Sequence, residues 1–145
     1  MKKINFYKSH YLLLTLLFVS LLMVAIPSCS RKMTFETSRV VPAATGSVTI
    51  KKNDNNNYRV DVKTTNLAKP KNLTPPKDVY VVWMRTVENS LRNIGMIKSS
   101  SGLFSSTVKG ELKATATSKP TSFFITAEND GNVQYPDNEV VLRTK

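Results

Sequence analysis

Hydrophobic and polar positions alternate through most of this 145-residue chain, in short runs separated by turn-forming residues. In YRVDVKT (58–64), the side chains at 58, 60 and 62 are hydrophobic, and those at 59, 61 and 63 are charged. This two-residue period is typical of an antiparallel strand with one buried face. VYVVWMR (79–85) is hydrophobic on both faces and predicts a central strand. Beyond the N-terminal segment, no long stretch shows the spacing of an amphipathic helix.

Turn residues divide the chain into strand-sized pieces. KKNDNNN (51–57) predicts a hairpin between 48–50 and 58–64, because Asn and Asp tolerate left-handed turn conformations. The prolines of KPKNLTPPKD lack the N–H that a sheet ladder needs, and they predict a connection from one sheet to the other. Residues 91–97 could begin with one helical turn. Seven to nine strands at this spacing predict an all-β fold, an antiparallel immunoglobulin-like β-sandwich.

The N-terminal segment has the order of a secretory signal. MKKINFYKSH carries three lysines, and the following sixteen residues, 11–26, are interrupted only by Thr15 and Ser20. A bilayer core requires roughly 17–25 apolar residues, so this run lies at the short limit for a membrane-spanning helix. We expect a signal helix that is cleaved from the mature protein, with an uncleaved anchor as the alternative.

The end of this segment contains the only cysteine of the chain. Ile26-Pro27-Ser28-Cys29 resembles the lipobox of bacterial lipoproteins, with an aliphatic residue three places before the cysteine and a small one directly before it. Pro27 departs from the usual small or hydroxylated residue. The resemblance implies that residues 1–28 are removed and that the Cys29 thiol is joined to diacylglycerol. Two or three acyl chains suffice for stable anchoring.

The sequence after Cys29 predicts the domain limits and the location. We expect a signal peptide at 1–28, a tether at 29–38 and one β-sandwich domain at 39–145. SRKMTFETSR lacks the acidic run that resembles surface-export signals, and Ser30 differs from the aspartate that retains enterobacterial lipoproteins in the inner membrane. We therefore expect a protein of the cell envelope, lipid-anchored in the outer membrane and facing the periplasm.

A second resemblance covers residues 79–136. VYVVWMR, the Gly95 of NIGMI and FFITAENDGNVQYP are similar to the extracytoplasmic C-terminal domain of anti-sigma-K factors, which is a β-sandwich. The cytoplasmic sigma-binding region and membrane helix of those regulators have no counterpart in this sequence. The resemblance implies a related sandwich with a sensing or assembly role, rather than a direct contact with a sigma factor.

The sequence contains few side chains that could act in catalysis. The sole histidine, His10, lies in the signal, and acylation of Cys29 would remove the sole thiol. The serines near Lys98 and Lys109 have no nucleophile-elbow spacing. TAENDGNVQYPD has acidic residues in a loop, but Asp130-Gly131 favours a turn over a calcium site. We expect no catalytic residue, cofactor or metal, with a carboxylate-only glycan hydrolase as the less favoured alternative.

Charge and aromatic residues bear on the partner. Lysine and arginine total 21 against 10 acids, and only three of the lysines lie in the signal, so the domain itself is basic. We expect a non-catalytic module that binds an envelope protein or a polyanion such as lipid headgroups or lipopolysaccharide phosphates, and no nucleic acid. Six lysines could form one membrane-facing surface, with ordinary solvated side chains as the alternative: Lys51, Lys52, Lys63, Lys69, Lys71 and Lys77.

The aromatic residues Trp83, Phe123 and Phe124 allow two interpretations. They could form a platform that stacks on sugar rings, or they could belong to the sandwich core, which we favour. Because consecutive strand residues face opposite sides, one of the two phenylalanines is expected to be exposed.

Replacing Cys29 with Ala tests the lipobox. Alanine has no thiol to acylate, so the variant should take up no labelled fatty acid and should retain its leader. Metabolic labelling with palmitate, gel electrophoresis and membrane fractionation measure this, and Ser28→Ala, which keeps a small residue, should label like wild type. Unlabelled wild type that runs at the same size as Cys29→Ala contradicts lipidation.

Overall fold

The computed structural model describes residues 10–17, 30–100, 107–137 and 139–145, and the side chains of 99, 100 and 107 are outside the description. Residues 10–17 are helical. No helix within these described ranges is long and apolar enough to cross a membrane. Cys29 lies outside the described residues, and so does most of the predicted signal.

Nine antiparallel strands are found in the described part of the chain, together with a short 3-10 turn at Pro70–Asn72. The strands are β1 (Ser30–Thr34), β2 (Thr45–Lys52), β3 (Tyr58–Ala68), β4 (Val79–Thr86), β5 (Leu91–Met96), β6 (Lys98–Ser100), β7 (Thr107–Ala116), β8 (Pro120–Glu128) and β9 (Val140–Arg143).

The strands form two sheets. The first sheet has the order β1-β2-β3-β7-β6, and the second has the order β5-β4-β8-β9. Without β1, this is the immunoglobulin arrangement, in which strands A-B-E-D face strands C′-C-F-G. The predicted all-β sandwich is therefore confirmed. The Pro-rich connection joins β3 to β4 and crosses between the sheets, as predicted.

Strand β4 is buried on both faces, as its sequence predicts. Tyr80, Val82 and Met84 belong to the main core between the sheets, where they join residues such as Val60 and Val62 of β3. The other face of β4 carries Val81 and Trp83, which form a separate small cluster with Phe124. Both faces of β4 are therefore shielded from solvent. The strand is central in its sheet because it pairs with β5 on one side and β8 on the other.

The tether predicted for residues 29–38 is wrong, because most of this segment is part of the sandwich. Ser30–Thr34 forms β1 and pairs with β2. Phe35 is buried and bridges to Thr144, and the Glu36 N–H donates to the Arg143 carbonyl at 2.8 Å. The segment thus joins the edge of the first sheet to the edge of the second. The domain therefore includes residues before 39, from at least residue 30.

The helical turn considered for residues 91–97 is also wrong. Leu91–Met96 is strand β5, and its pairing with β4 contains an irregularity between Val82 and Trp83. Gly95, opposite this point, has φ +125°, a conformation that side-chain-bearing residues rarely adopt. The glycine therefore permits a bulge in an otherwise extended edge strand.

Replacing Phe35 with Ala tests whether this segment is structural. The ring is 8% exposed, and removal of a buried phenylalanine costs about 3–5 kcal/mol, so we expect a loss of about 3 kcal/mol at this edge position. Urea unfolding of the full chain in a non-ionic detergent measures the change. The exposed neighbour Thr34→Ala is the control and should be nearly neutral. Equal stability of Phe35→Ala and wild type would restore the tether interpretation.

Candidate polyanion-binding face

The outward side of the first sheet carries a dense set of charges, which we call the basic face. Alternation along β3 buries Val60 and Val62, so Arg59, Asp61 and Lys63 point to solvent. Residues directly opposite one another in neighbouring strands share a face, and the sheet register therefore extends this surface across the first sheet. The basic face comprises seven cations and two acids: Lys32, Lys51, Arg59, Lys63, Lys98, Lys109 and Lys113, with Asp61 and Glu111.

The register arranges these side chains in rows across the strands. One row contains Ser30, Lys51, Arg59 and Thr115, in β1, β2, β3 and β7. The second row contains Lys32, Thr49, Asp61 and Lys113. The third contains Thr34, Ser47, Lys63, Glu111 and Lys98. Strands are about 4.8 Å apart and alternate residues about 7 Å apart, so the charges form an array with regular spacing.

Part of the basic face forms an open depression of about 620 Å³. Its charged lining consists of Lys51, Arg59, Asp61, Lys63 and Lys113, and hydroxyl groups come from Thr49 and Thr115. Asp61 is half-buried, whereas the four cations are exposed. The Asp61 side chain is therefore less accessible to solvent than the cationic side chains around it.

The positive charge of this surface is not neutralised by its own acids. Within the described part of the chain, no ion pair of 4 Å or less joins a cation of the basic face to Asp61 or Glu111. Such a surface attracts multivalent anions, because several weak attractions act on one ligand. The attraction between exposed charges is screened over about 10 Å at 0.1 M salt, so binding should depend strongly on ionic strength.

The structure places only some of the six lysines of the predicted basic surface on the basic face. Lys51 and Lys63 lie on the basic face. Lys52 alternates with Lys51 and belongs to the other side of β2. The other three lysines, Lys69, Lys71 and Lys77, lie in the connection after β3, at least six residues along the chain from Lys63. Lys71 forms an ion pair with Asp78. One continuous surface with all six lysines is therefore wrong.

Five cations of the basic face were missed from the sequence: Lys32, Arg59, Lys98, Lys109 and Lys113. The alternation in β3 and in ELKATAT marks outward positions within each strand. It does not show that β3 pairs with β7, about fifty residues later, which brings Asp61 opposite Lys113. The pairing of β3 with β7 brings the charged residues of the two strands onto one surface.

The aromatic residues are core residues, as favoured. Trp83 is fully buried and stacks on Phe124 with 6.1 Å between ring centroids, and its Nε1–H donates to Thr126 Oγ1 at 2.8 Å. The expectation that Phe123 or Phe124 is exposed is wrong, since both are buried. The connection after β8 contributes Val133 to the cover over this side of the second sheet.

Asn93 of β5 fastens that connection to the second sheet. Its Nδ2 group donates to the carbonyls of Gly131 and Val133, each at 2.9 Å. The acidic loop residues also serve local structure. Asp130 Oδ1 accepts from the Asn132 N–H at 3.0 Å, and buried Glu128 accepts from the Asp137 N–H at 3.4 Å.

No cluster of three potential metal ligands occurs in the residues that the structure describes. The serines discussed near Lys98 and Lys109 have side chains outside the description or lie in its gap.

Burial raises the pKa of Tyr80 to about 12, and its hydroxyl donates to the Ala68 carbonyl at 3.0 Å. A hydrogen bond with Thr86 lowers the pKa of the exposed Glu88 carboxyl. Neither group lies on the basic face.

The chain was compared with known proteins at the level of families, individual proteins and structures. It matches no protein-family model, and no curated protein or solved structure matches it.

The unneutralised charge predicts a salt effect on stability. Repulsion between neighbouring cations should destabilise the sheet at low ionic strength, so raising sodium chloride from 10 to 150 mM should raise the Tm by roughly 2 °C. Differential scanning fluorimetry of the full chain measures this. Lys51→Gln combined with Arg59→Gln, which removes a directly opposed pair of like charges, should reduce the rise by about half. An identical rise in wild type and the double variant would contradict repulsion on this face.

Proposed function

We propose that this protein is a non-catalytic, lipid-anchored module of the cell envelope that binds a polyanionic envelope component through its basic face. The observation that carries the proposal is the outward array of seven cations against two acids on one side of the first sheet. The fold presents these charges on paired strands, so their spacing is set by the sheet register rather than by loops.

The chemistry of the basic face favours an extended anion with several phosphate groups. Lysine and arginine beside an anionic surface contribute about 1 kcal/mol each, so one contact is weak and the array as a whole is strong. Serine and threonine side chains fill the remaining outward positions of β1 and β2 and add hydrogen-bonding groups. Large apolar side chains are missing from these rows, so a polar, charged ligand fits this surface better than an apolar protein segment.

The proposed lipid anchor and the basic face are close together in the chain. Cys29 directly precedes Ser30, which lies in the same row as Lys51 and Arg59. Because β1 begins at residue 30, no long linker separates an acylated Cys29 from the sandwich. A lipid on Cys29 would hold this end of the face near the phosphates of lipid headgroups, which supports an envelope polyanion as the partner.

The sequence supports a binding role rather than catalysis. His10, the sole histidine, precedes Cys29 and would leave with the signal, and acylation would consume the sole thiol. The carboxylates of the basic face, Asp61 and Glu111, are each surrounded by cations in the sheet register. The location that we propose, the periplasmic side of the outer membrane, excludes nucleic acid as a partner.

Binding to fluorescent inorganic polyphosphate tests the proposal. The lipidated protein is purified in a neutral polyoxyethylene detergent, and fluorescence anisotropy is measured from 50 to 300 mM salt. We expect Lys63→Gln with Lys113→Gln to weaken binding at least tenfold. Each lost phosphate contact should lower the slope of log affinity against log salt by roughly 0.7–0.9.

Lys69→Gln with Lys71→Gln provides the matched control. It removes the same charge from the connection between β3 and β4, outside the rows that contain Lys63 and Lys113, and should change the affinity less than twofold. Equal losses in the two double variants would indicate a general charge effect. That outcome, or wild-type binding that is indifferent to salt, would contradict the proposed site.

A further inference from the structure

The depression in the basic face has an acid at its centre, a feature that plain attraction of polyanions does not require. Arg59 and Lys63 flank Asp61 along β3, each two residues and about 7 Å away. Lys113 lies directly opposite Asp61 in β7, and Thr49 lies directly opposite in β2. We propose that the depression binds a phosphorylated glycan, with phosphate groups on the cations and a sugar hydroxyl donating to the Asp61 carboxylate.

The position of Asp61 favours a ligand with both kinds of group. An ionised carboxylate only accepts hydrogen bonds, so it repels phosphate oxygens and attracts hydroxyl donors. Asp61 is half-buried among exposed cations and makes no ion pair of 4 Å or less with them within the described residues. A ligand that consisted of phosphate alone would place negative charge over this carboxylate. A sugar phosphate places a hydroxyl there instead.

The size and lining of the depression fit the same class of ligand. Its volume of about 620 Å³ exceeds what one phosphate group fills, so the depression has room for a sugar ring beside a phosphate. Thr49 and Thr115 add hydroxyls that can donate to or accept from sugar oxygens. The roughly 7 Å between alternate side chains of a strand is on the scale of one sugar ring, so a phosphate and a hydroxyl of the same ring can reach neighbouring positions.

The second acid of the basic face supplies a matched control. Glu111 lies opposite Lys63 and Lys98, outside the residues that line the depression. It has the same charge as Asp61 and similarly cationic neighbours. Removal of Glu111 should strengthen the binding of every polyanion. Removal of Asp61 should change which polyanion is preferred.

This inference rests on the proposed function, and the ratio of two affinities tests it separately. The lipidated protein in neutral polyoxyethylene detergent is titrated with phosphorylated dextran and with inorganic polyphosphate of equal phosphate content. Asp61→Ala should lower the ratio of dextran affinity to polyphosphate affinity at least fivefold. Asp61→Asn, which keeps an acceptor oxygen, should retain part of this preference. Glu111→Ala should leave the ratio within twofold of wild type.

The alternative outcomes are distinct. An unchanged ratio in Asp61→Ala, with both probes bound more tightly, would overturn the inference and leave the proposed polyanion binding intact. A second outcome would also overturn it. In this outcome, micelles doped with phosphatidic acid displace the dextran from wild type at a lower phosphate concentration than free phosphorylated dextran does. The site would then prefer a bare lipid headgroup. Wild-type protein that binds neither dextran nor polyphosphate would contradict the proposed function itself. Thermal unfolding confirms that each variant is folded.

Discussion

The register of strand β3 is the constraint on which both the core and the basic face depend. β3 is paired with β2 on one side and β7 on the other, and its hydrophobic residues Val60 and Val62 are buried between the sheets. A shift by one residue would turn Arg59, Asp61 and Lys63 into the core, because successive side chains point to opposite faces. Burying unpaired charges is strongly unfavourable. The packing of Val60 and Val62 in the core therefore determines that the charged side chains of β3 face solvent.

This coupling explains how a small domain can hold like charges side by side. Full burial of a valine contributes about 1.5–3 kcal/mol, whereas exposed charges interact by about 1 kcal/mol or less in water. The core thus outweighs the repulsion on the surface, and the cations remain fixed at strand spacing without ion pairs to Asp61 or Glu111 among the described residues. A bound polyanion would supply the missing negative charge. In this account, ligand binding relieves a repulsion that the fold has to tolerate.

Local patterns in the sequence predicted most of the fold. The two-residue period of β3, the Asn-rich turn before it and the apolar faces of β4 each depend on neighbouring residues, and all were confirmed. Long-range pairing was not predictable in the same way. Strand β1 contains a single buried hydrophobic residue, Met33, and its place depends on its pairing with β2 and on the bridge that the following Phe35 makes to Thr144. The basic face was only partly predicted for the same reason, since it requires β3 to pair with β7.

The most direct test of the account is a lysine footprint of the complex. The lipidated protein is treated with an acetylating reagent with and without bound phosphorylated dextran, and the modified lysines are quantified by mass spectrometry. The account predicts that Lys51, Lys63 and Lys113 become protected, while Lys69, Lys71 and Lys77 react at unchanged rates. Protection of the second group without the first, or equal protection of both, would contradict the claim that the outward side of the first sheet is the binding surface.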